Sequence, residues 1–498
     1  MDKISELFWE NVPTDNLIYK GITKIEEKGL ENLPVDIIDE IYVSRDENYN
    51  IKVSCASNTG IVVNKVPLGN KQKMDYAPGE IVPPGELIIR SFGDTRSMVF
   101  NPCYYNGCSI TFNRTEYQLS CYRVEYKYST NPVSVLKEWI LNGGKSGLRV
   151  CTNQTYKYTV EEALFGTYGD LEFPAREVYE KQETLGRFTH FSFMDTAFDV
   201  HYVGNNYGPE WSENLCISYF DKYGRIPNDE ERKIIRDYLS FIIGSKLILI
   251  GNSTFDDTGN QLGFVMDSPN TYCFDIEKMC KSVATPPIND RIDSLQDYYD
   301  TVQKYINPFT DLYEKLDFGS LFDSYWYAKS IAKPYDLPIL SGALECLMKR
   351  WYEQVELNPE TVLMNKKDFQ KRVKVVKKAV EEQFKDTEYA ERMQRSVESM
   401  NRMSINEKII HFFDRINMPI GKNEEIALHA RNFSAHGSFR DMENNNFELI
   451  MTSKIYECII VRTVLVLLGY EGKYVDYGTL GQPDRDIRVP SGDSETNY

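Results

Sequence analysis

Residues Leu428 to Arg440 read LHARNFSAHGSFR and bring Arg431, Asn432 and His436 close together in the chain. The chemistry open to these three without a metal is narrow. Arginine offers a rigid fork of donors matched to phosphate oxygens, histidine moves a proton near neutral pH, and asparagine orients either one. Cleavage of RNA by its own 2'-hydroxyl needs this set: a base for the 2'-OH proton, an acid for the leaving oxygen, and a cation for the charge building on phosphorus. The bland account of the same residues is that Arg and His complement the dipole at a helix C-terminus and act only as caps. Spacing does not separate the two accounts.

These residues must be carried by a helix. Asn423, Glu424 and Glu425 are a helix start, Ile426 and Leu428 give an apolar side, and Gly437 is a stop. In an ideal helix Asn432 and His436 share a face, while Arg431 and His436 diverge by roughly 140°. They converge only if the last turn loosens or if a second copy of the chain supplies the other member. His429, one turn before Asn432, either lines the same cleft or is an exposed bystander. His411, in IIHFFDRI, reads as a packed core histidine.

The surrounding elements fall into two halves. From Tyr49 to Val203 the period is two, with β-branched and aromatic pieces such as YNIKVSC, GELIIRSF and FTHFSFMDTAFDVHYV between turn signals. A helix is expected to interrupt them at NPVSVLKEWILNG, and another at PNDEERKIIRDYLSFIIG, where Asn228 or Asp229 serves as N-cap. KLILIGN and GFVMDS then read as strands. From about Ser294 the period becomes helical: helices are expected within 294–306, 309–330, 337–355, 366–384, 405–416, 422–436 and 446–470. The expected fold class is α+β multidomain, with a β-rich domain over 1–300, an all-α bundle over 301–480, and a mobile tail over 481–498.

Composition limits the function classes. The chain has 498 residues, more than one core supports, and a net charge of −17, which argues against wholesale coating of nucleic acid. A local exception is KKDFQKRVKVVKK, where Lys366, Lys367, Lys371, Arg372, Lys374, Lys377 and Lys378 stand against one Asp; it is either an RNA-contacting patch or a solvated helix face. Glu345, in the apolar helix SGALECLMKRW, is either an accessory site residue or a carboxylate satisfied by a neighbour such as Lys349. Ten scattered cysteines, with Cys103 and Cys108 the nearest pair, form no zinc pattern and read as reduced thiols of a cytoplasmic protein. No metal ligand set, Walker loop or G-x-S-x-G nucleophile is present, so neither metal nor cofactor is expected. The stretch IGNSTFDDTG, with Gly251, Ser253, Asp256 and Asp257, reads as a turn rather than a nucleotidyltransferase motif. The apolar runs LSFIIGSKLILIG and IYECIIVRTVLVLLGY are too short or too polar to span a bilayer, so no membrane partner is expected.

The core R-N-F-S-A-H-G, followed by a long apolar helix, resembles the R-x4-6-H signature of the HEPN superfamily, helical-bundle domains of which many are metal-independent ribonucleases. LSGALECLMKRWYEQV resembles the helix preceding that motif in the ApeA-like branch, and the β-rich half with DYLSFIIGSKLILIG resembles the N-terminal domain of that branch in bacterial anti-phage proteins. The resemblance implies an endoribonuclease of abortive infection, with Arg431 and His436 as catalytic pair and Asn432 as polar neighbour. It further implies a homodimer with a composite cleft, RNA (tRNA in that branch) as substrate, and a phage-derived trigger. A catalytically idle bundle that binds RNA or protein, and the toxin of a toxin-antitoxin pair, remain as alternatives.

Overall fold

A computed structural model of the protein describes residues 17–28, 37–46, 49–58, 85–91, 97–111, 114–127, 129–143, 152–168, 171–202, 214–269, 276–289, 295–333, 335–355, 362–435 and 446–493. The chain divides into two compact units. The first is Met1–Ala284 with Asp290–Gln303, the second Thr285–Asn289 with Lys304–Tyr498. The N-terminal half holds a large antiparallel sheet and the C-terminal half is helical.

Among the described residues, fourteen strands make up the sheet: β1 (Leu17–Lys28), β2 (Ile37–Arg45), β3 (Ile51–Ser57), β4 (Gly85–Ser91), β5 (Ser97–Thr111), β6 (Arg114–Cys121), β7 (Arg123–Lys127), β8 (Val135–Ile140), β9 (Thr152–Tyr168), β10 (Leu171–Phe193), β11 (Thr196–Tyr202), β12 (Leu215–Phe220), β13 (Leu249–Phe255) and β14 (Gln261–Asp267). Their order is β4-β1-β2-β3-β6-β5-β7-β14-β13-β8-β12-β11-β10-β9, and β4 also pairs with β5. That pairing closes the first six strands on themselves, which removes the sheet edge at this end. Ile41, Val53, Cys55, Leu87, Phe100 and Tyr117 fill one continuous core that runs on to Trp139 and Phe264. Cys55, Cys103, Cys121 and Cys216 are buried free thiols.

The helix expected at 131–143 is instead β8, in the interior of the sheet between β12 and β13. Leu136, Glu138, Trp139 and Ile140 are all buried, and sheet pairing on both sides overrides a sequence with no strong local preference. Glu138 is 1% exposed and accepts from Arg232 Nε at 3.1 Å, Arg236 at 2.5 Å and Tyr219 Oη at 3.0 Å. Both arginines lie on α1 (Asp229–Ile243), the helix expected there. Asn228 and Glu231 form a reciprocal capping box at its start, and Gly244 ends it at φ 73°. The Asp256 stretch is a turn between β13 and β14, its carboxylate accepting from the backbone of Thr258 and Asn260. A short helix, α2 (Ile276–Lys281), had no signal in the period.

The helical part contains α3 (Leu295–Leu316), α4 (Phe318–Ser330), α5 (Leu337–Gln354), α6 (Lys366–Phe384), α7 (Ala390–Ser399), α8 (Ile405–Arg415), α9 (Lys422–Ala435) and α10 (Asn446–Leu467). The break expected near Pro308 is absent: α3 runs through it, held by buried Tyr305, Ile306, Phe309 and Tyr313. The chain turns at Asp317 instead, whose left-handed backbone (φ 53°) lets its side chain cap α4 at Ser320. α7 lies where the sequence period gives no helix; it packs on α6 through Phe369, Val373 and Val397. The division between the two units falls inside α3, between Gln303 and Lys304.

The largest departure is the C-terminus. Residues 481–493 are not a mobile tail but part of the second unit, with β15 (Lys473–Val475) paired to β16 (Asp484–Asp486) and with Ile487 and Ser491 buried. Residues 494–498 lie outside the described residues. Among the described residues no helix is long and apolar enough to cross a membrane.

Candidate functional site

α9 carries the motif, and its start is built from remote chain. A helix leaves its first N–H groups without intrahelical partners, and a carboxylate placed there satisfies them and complements the dipole. Asp493 does so, its oxygens accepting from Lys422 N at 3.1 Å and Asn423 N at 3.2 Å. Asn423 Nδ2 in turn donates to Gly492 O at 2.7 Å. A side chain at Gly421 would collide with the Asp493 carboxylate, which accounts for glycine there.

One residue further on, Glu424 is completely buried and pairs with the equally buried Arg462 of α10. Glu424 also accepts from Ser491 N at 3.0 Å, while Arg462 donates to Ile487 O at 3.0 Å and Pro419 O at 3.2 Å and lies over the Tyr474 ring. Burial pushes the Glu424 carboxyl above its ordinary range, and the Arg462 guanidinium opposes that push. Thus α10, the end of the chain and the first turn of α9 are tied at one point. The buried side of α9 is Ala427 and Leu428; Ile426, expected to be apolar lining, is 51% exposed.

Arg431 and Asn432 occupy the last turn of α9, and the helix ends at Ala435. Their side chains, and His436 and Gly437 altogether, lie outside the described residues. His429 is exposed, and its Nδ1 accepts from Asn406 Nδ2 of α8 at 3.2 Å. His411 is not a core residue: it is half-buried, stacks on the Tyr352 ring at 6.0 Å, and holds the Tyr352 hydroxyl at 2.7 Å from Nδ1. Both histidines line a groove of about 440 Å³ between α8 and α9. The sequence signal for this groove is that His411 and His429 each lie beside an apolar helix face.

Glu345 is half-buried on α5, a helix packed against α9, and accepts from Ser341 Oγ at 3.2 Å. Lys349 pairs with Glu353 at 3.9 Å. On α6, Lys366, Lys367, Lys371, Arg372, Lys374 and Lys378 are exposed and Lys377 is half-buried. Lys377 pairs with Glu398 at 2.8 Å and Lys378 with Glu382 at 3.8 Å, so part of the basic run is neutralised locally. Among the described residues no group of three or more His, Cys, Asp or Glu could hold a metal ion. No protein-family model, curated protein or solved structure matches this chain.

Proposed function

We propose that the protein is a metal-independent endoribonuclease of the HEPN type, acting in anti-phage defence, with Arg431, Asn432 and His436 as its working residues. The observation that carries the reading is the anchoring of α9. A buried ion pair, Glu424 with Arg462, and a carboxylate cap from Asp493 hold one end of the helix whose other end bears Arg431 and Asn432. Rigid support of this kind is what a site needs when its catalysis depends on position. Arg431 neutralises the phosphorane charge, His436 transfers the proton, and Asn432 orients them. Two copies of the chain supply one cleft, and the cationic face of α6 guides RNA, tRNA being the first substrate to try.

Incubation of the purified chain with total tRNA in EDTA tests this. Cleavage is expected to survive chelation and to leave 2',3'-cyclic phosphate and 5'-hydroxyl ends, because the internal 2'-OH is the nucleophile, and DNA should resist for lack of that group. Activity lost in EDTA and restored by magnesium refutes the mechanism.

The β-rich unit then has a regulatory part, shifting the nuclease between idle and competent populations. Deleting residues up to about 300 should change toxicity in uninfected cells or abolish the response to infection. An identical response to phage from the bundle alone and the full chain excludes a sensor.

A further inference from the structure

The α8–α9 groove has a polarity that its hydrogen bonds determine. Asn406 Nδ2 can only donate, so His429 Nδ1 is the acceptor and a neutral His429 carries its proton on Nε2. The Tyr352 hydroxyl touches both Lys408 O, at 3.2 Å, and His411 Nδ1, at 2.7 Å. A carbonyl only accepts, so both contacts are satisfied only if the hydroxyl donates to Lys408 and accepts from Nδ1–H of His411. With both contacts made, a neutral His411 keeps a bare Nε2. Of the two neutral rings that line the groove, one has a donor as its remaining nitrogen and the other an acceptor.

The lining also includes Asp414 and Glu425, both exposed, whose side-chain carboxylates make no hydrogen bond or ion pair among the described residues, and apolar Ile410 and Leu428. A groove edged by carboxylates repels phosphate, and a purely cationic side chain would leave the His429 donor unused. An edge holding adjacent donors together with acceptors fits best. Guanine has it: N1–H and N2–H2 donate side by side to one carboxylate, while O6 and N7 accept. The volume falls in the range of small-molecule sites.

We propose that this groove binds an unpaired guanine base of RNA, with Asp414 or Glu425 on its N1–N2 edge and His429 on its acceptor edge. The polymer is inferred from the ribonuclease reading; the preference for guanine rests on the groove alone. The base enters while its phosphates stay in solvent, where salt screens them from the carboxylates.

The test is titration of the full chain with guanosine, inosine, the other nucleosides and a tri-arginine peptide, followed by calorimetry and by long-range proton–nitrogen spectra of the five histidines. Guanosine should perturb the ring signals of His411 and His429 and bind about tenfold tighter than inosine, which lacks the N2 amino group, the scale of one lost base-edge contact. His429→Ala should weaken guanosine about tenfold, and the double change Asp414→Asn with Glu425→Gln should erase the preference over inosine. The spectra should place the His411 proton on Nδ1 and the His429 proton on Nε2. The proposal is overturned by reversed tautomers, by nucleosides that leave both rings unmoved, or by tri-arginine perturbing them in place of guanosine. Because binding is read without turnover, a chain that cuts RNA but ignores guanosine refutes this site only, and one that binds guanosine without cutting refutes the nuclease only.

Discussion

His436→Ala should lower single-turnover RNA cleavage roughly a hundredfold or more and leave RNA affinity nearly unchanged, because a proton-transfer group acts in the transition state and not in binding. Arg431→Ala should weaken both, since a guanidinium holds phosphate in ground and transition states alike. Arg431→Lys keeps the charge but loses the bidentate fork, so it should recover binding more than turnover. Helix caps would behave otherwise: both alanine variants would melt earlier and retain normal activity per folded molecule. Stability and cleavage measured on the same preparations separate the accounts, and a stable His436→Ala that cuts at the parental rate removes the assignment.

Arg462→Ala should destabilise the helical unit by about 3–5 kcal/mol, the usual cost of leaving a buried charge without its partner. Glu424, completely buried, would be that charge, and the carbonyls of Ile487 and Pro419 would lose their donor as well. A drop in melting temperature on the order of 10 °C follows for a unit of this size. Replacing both members, Glu424→Leu with Arg462→Met, should recover much of the loss, because two apolar groups leave no charge to desolvate. If the single variant melts like the parent, the pair does not anchor α9. Asp493→Ala should cost about 1 kcal/mol through the lost cap. If α9 must be held to cut RNA, that variant should also lose activity beyond its loss of folded protein.

The features legible in the sequence alone are local. α1 could be read from Asn228, Glu231 and Gly244, because capping box and left-handed stop involve residues within a turn of the helix. The helical period of α5, α6, α8, α9 and α10 is legible for the same reason, while that of α7 is not, and the two-part layout follows from the change of period near Ser294. Arg431, Asn432 and His436 are legible as residue types, but their mutual geometry depends on a helix end and on chain outside the described residues. Tertiary structure decided the rest. β8 became a strand because two neighbours pair with it, and Glu138 is a buried acceptor only because α1 brings Arg232 and Arg236 over it. α3 continues through Pro308 because its packed aromatic face outweighs one lost backbone bond. The segment expected to be loose at the C-terminus is held because Asp476, Glu424 and Arg462 meet its polar groups from elsewhere in the chain. No local pattern encodes such partners: their separation in sequence is large, and only the folded backbone brings a carboxylate from residue 493 to the first turn of a helix beginning at 422.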